Sequence, residues 1–247
     1  MLPTNGRNGR NGQNGENRLL DSLRAESFAR LNPKLSEVML KQGQELYHAD
    51  ERQDWIYFPA KGTLISLLAV SDDGASVEVA ITGREGMLGI AGVLGADRSN
   101  HESLVQNSGA AWRVRSEYVR DLMQRDANFR DALQRYIHVV FAHVAQTALC
   151  NRLHSVEERM ARWMLSTQDR VEAADFHMTH ELLAKMLGTR RTSVSLTAAT
   201  LQKAGMLRYK RGHMIILDRQ NLENTACGCY GVMRAEMQAL HYGKRRG

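Results

Sequence analysis

Cysteine is scarce in this chain: Cys150, Cys227 and Cys229 are the only three among 247 residues. An odd, sparse set makes no disulfide framework. Cys227-Gly228-Cys229 could bind a soft metal as thiolates, but two ligands without a nearby second pair are too few for a closed zinc or cluster site, so buried structural thiols are the better reading. Long apolar runs are missing too. None approaches the ~20 residues needed to cross a bilayer, and the polar, glycine-rich start lacks the apolar core of a signal peptide. The expectation is a soluble cytoplasmic protein with no membrane partner. Also absent are a Ser/His/Asp constellation, metal-ligand spacing and a phosphate-binding P-loop. The nine histidines are scattered, and His138 and His143 read as packing or surface residues. The chain is therefore not read as an enzyme, and no cofactor or metal is expected.

What is present is concentrated in residues 179–201, which read as a helix-turn-helix, the element that inserts a helix into the DNA major groove. Thr179 can cap a first helix with its hydroxyl oxygen. Leu182, Leu183, Met186 and Leu187 recur at helical spacing. Gly188 sits at the turn, where positive φ costs glycine least, and Thr189 can cap the second helix. Val194, Ala198 and Leu201 give that helix an inward face. Arg190 and Arg191 open it, and Thr192, Leu196, Ala199 and Lys203 line its opposite face. Ser193 and Ser195 complete the polar set assigned to DNA. Leu207–Tyr209, Lys210-Arg211-Gly212-His213 and Met214–Leu217 follow as strand, turn, strand, a wing whose Lys210, Arg211 and His213 suit phosphate. An ordinary helical hairpin with a solvated charge pair explains the first motif but not this wing.

Charge agrees. The chain is formally +6, and from Arg152 to Gly247 it holds 16 Lys and Arg against 9 Asp and Glu. The surplus lies where the helix-turn-helix lies, which favours a nucleic-acid partner.

The remainder divides by pattern. Residues 1–18, with an Asn-Gly repeat over 3–17, read as a disordered tail. Residues 19–127 open with a helical lead-in and continue as short apolar segments separated by turn clusters, which predicts a small β-barrel or roll. Ser116 can cap a helix over Glu117–Gln124. A long helix is expected over 128–151, where Leu133, Ile137, Val140, Val144 and Thr147 step by 4, 3, 4 and 3. That spacing predicts a homodimer seam, with Phe141 and Leu149 packing inside their own domain. Ser155-Val156-Glu157-Glu158 is a capping box that starts a fresh helix after a hinge. The last unit is residues 152–247.

A β-roll, a long dimer helix, a hinge and a winged helix in that order resemble the Crp/Fnr family of bacterial transcription regulators over residues 19 to 230. The strongest match is Thr179–Leu201 with the Arg208–Leu217 wing, and Gly83–Gly89 is similar to the family's ligand cassette. The resemblance implies an α+β protein with a cyclic-nucleotide-binding-like roll. It also implies a homodimer on a two-fold symmetric site in double-stranded DNA, with RNA polymerase a candidate partner. Gly86, Met87, Leu88, Gly89 and His101 are the effector candidates, with backbone N–H groups of 86–89 available to an anion. Cyclic-AMP-binding members carry a Glu in the cassette helix and an Arg-Ser pair beyond it. Here Met87-Leu88-Gly89 takes the place of the Glu. The pair falls at His101-Glu102, or at Arg98-Ser99 only if the loop shifts by three residues. This argues against cyclic AMP and leaves the effector unassigned. In the recognition helix only Arg191 matches a base-contacting arginine of the best-known members. The competing function is a ligand sensor whose winged helix contacts protein.

Overall fold

The computed structural model describes residues 16–242 apart from positions 97, 174 and 211. Two short helices lead in, α1 (Arg18–Asp21) and α2 (Ala25–Leu31). Strands β1 (Ser36–Leu40), β2 (Glu45–Tyr47), β3 (Trp55–Pro59), β4 (Leu64–Val70) and β5 (Ser76–Thr82) follow. Next come α3 (Ile90–Leu94), β6 (His101–Asn107), β7 (Gly109–Arg115) and α4 (Ser116–Arg125). The strands form two antiparallel sheets, β1-β7-β3 and β2-β6-β4-β5. Leu40, Tyr57, Ile65, Val105 and Ala111 pack together to close the roll. β7 leaves little trace in the sequence, because Ala110 and Ala111 give its pattern little apolar contrast.

Helix α5 (Ala127–Leu153) is longer at both ends than 128–151. Asp126 caps it by accepting the N–H of Phe129 at 3.0 Å. Ser116 does not cap α4: it is the first helical residue, and its N–H donates to Asp54 O. The Ser155 capping box forms as expected, and α6 (Val156–Val171) buries Met160, Trp163 and Met164. The rest is β8 (Asp175–His177), α7 (His180–Leu187), α8 (Arg191–Lys203), β9 (Leu207–Lys210), β10 (His213–Ile216), α9 (Arg219–Thr225) and α10 (Cys229–Tyr242).

Two boundaries shift. The expected tail over 1–18 is corrected at its end, for Asn17 is fully buried. Its side-chain amide donates to the carbonyls of Pro59 and Gly86, each at 2.9 Å, and its oxygen caps α1. Residues 1–15 lie outside the described part. The C-terminal unit also does not stay apart: α10 runs back along α5, and Leu240 packs against the core that holds Leu133 and Phe129.

The joint between the units is built from buried polar contacts. Trp163 Nε1 of α6 donates to Glu78 Oε1 of β5 at 2.9 Å, while Ser66 Oγ and Gln106 Nε2 each reach Oε2 at 2.6 Å. Arg170 Nε pairs with Glu85 at 2.7 Å. Glu172, in left-handed backbone at the end of α6, collects Arg18, Lys61 and Arg84. Burial pushes Glu78 up from the ordinary carboxylate value to about 7, against the hydrogen bonds that oppose it. A raised pKa means that the native state holds the proton more tightly than the unfolded chain. Stability from this group is therefore full below the unfolded value and is lost as pH rises through about 7. The expected loss is about 3 kcal/mol. Glu78→Gln should flatten that segment of a denaturant-derived stability profile, and an unchanged slope would contradict the assignment.

Candidate nucleic-acid interface and effector cavity

The helix-turn-helix forms because its local signals agree. Thr179 Oγ1 accepts the N–H of Leu182 at 3.1 Å, starting α7. Gly188 ends the helix at φ 56°, and an added Cβ would meet Val77 of β5 at 3.0 Å. Leu183, Met186, Leu187, Val194, Ala198 and Leu201 are buried with Trp163 and Met214 in one core. The predicted cap at Thr189 is corrected: α8 starts one residue later, with Arg190 at the cap position and no side-chain bond there.

With that core fixed, α8 turns the expected face outward. Arg190, Arg191, Thr192, Ala199 and Lys203 are exposed. Leu196 is 72% exposed, a large apolar side chain on the open face of a polar helix. Arg191 reaches only an exposed Glu181 at 3.7 Å. Such a pair is worth little in solvent and leaves the guanidinium available. Ser193 and Ser195 are half-buried. Ser195 Oγ is engaged by His180 Nδ1 at 3.0 Å, which turns it toward α7 rather than outward. In the wing β10 pairs with both β8 and β9. Lys210 and His213 are exposed at its end, His213 beside Asp175 at 3.3 Å. Arg211 lies outside the described residues.

Between the roll and α5 lies a cavity of about 670 Å³. Its walls are mostly apolar, including Ile65, Leu67, Met87, Leu88, Ile137 and Val140, and Arg98, Ser99 and His101 form a polar edge. Arg98 Nη1 donates to Asp50 O at 2.6 Å. Burial lowers the pKa of His101, favouring the neutral ring. Met87, Leu88, Gly89 and His101 thus reach one cavity, together with the Arg98-Ser99 pair that the preferred alignment set aside. Gly86 does not line it. Tyr136 fills the space beside Gly86, where a Cβ would lie 2.0 Å from the ring. The expected anion cradle is corrected at two positions, since Gly86 N–H donates to Gly83 O and Leu88 N–H to Tyr57 O.

The dimer seam is also redrawn. Leu133 is fully buried and Thr147 nearly so within one chain, because the roll covers one side of α5 and α10 another. Ile137, Val140 and Val144 are half-buried, with Ile137 and Val140 leaning on the core. Phe141 and Leu149, expected to pack internally, are 71% and 44% exposed. The open stripe of α5 is therefore Ile137, Phe141, Val144, Ala148 and Leu149.

One grouping went unread in the sequence. Cys150 and His154, one helical turn apart at the end of α5, meet Cys227 and Cys229 before and at the start of α10. Its local signals were the Cys227-Gly228-Cys229 pair, read as too few ligands, and the i, i+4 spacing of Cys150 and His154, which was not read.

Two domain models match the chain: a cyclic nucleotide-binding domain over residues 37–126 and a Crp-like helix-turn-helix domain over 158–225. Together they cover more than half of it. A solved crp/fnr-family putative transcriptional regulator from Eubacterium rectale is 18% identical, with a TM-score of 0.67, and covers 84% of this chain and 96% of its own. FixK2 from Bradyrhizobium japonicum is 18% identical at a TM-score of 0.67, covering 78% and 98%. The regulator CLP of Xanthomonas campestris, described as c-di-GMP responsive, is 16% identical at 0.66, covering 78% and 99%. At such identities these structures speak for the fold. The sequence has no significant match among curated proteins. No described helix is long and apolar enough to cross a membrane. Sensor roll, long helix and winged helix-turn-helix occur in the matching order, and the chain belongs to the Crp/Fnr family of DNA-binding transcription regulators, a family of regulators and not of enzymes.

Proposed function

We propose that two copies of this chain join along the open stripe of α5 and set paired α8 helices into successive major grooves of a two-fold symmetric operator. The observation that carries this reading is the outward face of α8, with the exposed Arg190 and Arg191 at its start and an exposed Leu196. Arg191 pairs with a guanine edge, and Thr192 or Leu196 meets a thymine methyl. Thr179, Lys210 and His213 hold phosphate and fix register. The protein works in the cytoplasm, where operator-bound dimers act on RNA polymerase. The alternative, a winged helix that contacts protein, explains neither the charge asymmetry nor the clustering of arginine at the start of α8.

The cavity is the effector site of this reading. It borders Phe141 and Val144, so a ligand there touches the dimer stripe directly. Cyclic AMP is a poor fit, since Met87, Leu88 and Gly89 supply no carboxylate for a ribose. An apolar body with one polar end suits the walls better.

Arg191→Ala should cost about 1–3 kcal/mol of operator affinity and relax preference at one base position. Lys210→Ala should weaken all sequences alike. Electrophoretic mobility shifts on matched and mismatched operators measure both, and an Arg191 variant with unaltered affinity and selectivity would remove Arg191 from base reading.

A further inference from the structure

We propose that Cys150, His154, Cys227 and Cys229 form a tetrahedral site for a thiophilic divalent cation, with zinc the best fit. The three sulfurs and one histidine nitrogen all lie within 4.8 Å of one another. Cys150 Sγ is 3.4 Å from Cys227 Sγ, and Cys229 Sγ is 3.5 Å from His154 Nδ1. Ligands around zinc at Zn–S ≈ 2.3 Å sit about 3.8 Å apart along a tetrahedral edge. The two spacings of 3.4 and 3.5 Å lie near that edge, and the remaining ligand atoms are within 4.8 Å of one another. An iron–sulfur cluster spreads its thiolates around several irons and needs a wider cage.

The surroundings support a charged thiolate site. Cys150, Cys227 and Cys229 are each at most 5% exposed. Gln146 Nε2 donates to Cys229 Sγ at 3.0 Å, the kind of outer hydrogen bond that orients a ligating sulfur. Arg159 is 8% exposed, and its buried Nε has no hydrogen-bond partner among the described residues. Its guanidinium donates to the carbonyls of Asn151, the residue after Cys150, and of Leu187. A buried cation beside neutral thiols is costly. Zinc with three thiolates and a neutral imidazole carries net −1, which offsets that cation. Loading would release the thiol protons to solvent and change no oxidation state.

A disulfide between Cys150 and Cys227 is the competing chemistry for this pair. It would leave Cys229 and His154 converging on the same point without a task. The metal instead uses all four groups. It would clip the start of α10 to the end of α5, at the hinge into α6.

The test uses the full chain, purified in reductant without chelator from zinc-supplemented culture. Elemental analysis should find about one zinc per chain. Cobalt(II) added to the metal-free chain should give thiolate-to-cobalt charge transfer and the strong visible bands of a tetrahedral ion. Cys227→Ser and His154→Ala should each lose the metal on dialysis. Fully reduced wild-type chain that takes up neither zinc nor cobalt overturns the proposal, whatever the variants do. So does a metal retained undiminished in both variants, or a Cys150–Cys227 disulfide that forms in the presence of zinc.

Discussion

Phe141→Glu is expected to turn a dimer into folded monomers. Phe141 is 71% exposed in one chain, so the substitution removes little from the chain's own core. In a dimer built on the open stripe of α5 it sets an unpaired carboxylate into apolar contact from each side. Burying such a charge costs several kcal/mol per site, on the order of 3–5. Circular dichroism and thermal unfolding should stay near wild type while light scattering reports half the mass. Operator affinity should fall by about two to four orders of magnitude, because each α8 would then bind its half-site alone. Val140→Glu, which the heptad spacing singles out, should behave differently. Val140 leans on the chain's own core, so its carboxylate should destabilise the roll as well. A Phe141→Glu chain that remains a dimer at full affinity would place the interface elsewhere.

Arg170→Ala should be the most damaging single change at the joint between sensor and DNA-binding units. Glu85 is 4% exposed and rests on Arg170 at 2.7 Å and the N–H of Gly83 at 3.1 Å. Burial raises the Glu85 pKa, but the Arg170 charge and the adjacent N–H donors outweigh it, and the group ends below the ordinary carboxylate value. Its stabilisation is therefore present above the unfolded pKa and is lost as pH falls through the folded one. Without Arg170, burial dominates and the sign reverses: the variant should lose stability as pH rises past the ordinary carboxylate range. At neutral pH the expected loss is about 3–5 kcal/mol by urea denaturation, with Glu85→Ala/Arg170→Ala milder than Arg170→Ala. A double variant worse than either single one would show that the pair is not coupled.

Legibility in the sequence followed how local each signal is. Thr179, Gly188 and Ser155 act within a few residues, and their helices start and stop almost where the chain says. The outward face of α8 was equally plain, because helical period alone divides Val194, Ala198 and Leu201 from Thr192, Leu196 and Lys203. The face of α5 was not. Ile137, Val140, Phe141 and Val144 are all apolar, so the periodicity admits more than one seam. The choice falls to what lies beside the helix, the roll and α10, neither readable from residues 127–153. Ser195 looked like a groove contact until His180, 15 positions earlier, claimed its hydroxyl. The four-residue thiol and imidazole cluster is the extreme case, since 77 residues separate Cys150 from Cys227 and only the return of α10 joins them.

Selection of bound duplexes from a random library by the full chain, followed by salt titration on the winner, tests most directly whether a dimer reads DNA through α8. The predicted result is an inverted repeat whose half-sites lie about one helical turn, or 34 Å, apart. Affinity for it should fall steeply and linearly in logarithmic salt concentration as phosphate contacts release counterions. Recovery of no common sequence, or of a single unrepeated half-site bound without salt dependence, would contradict it.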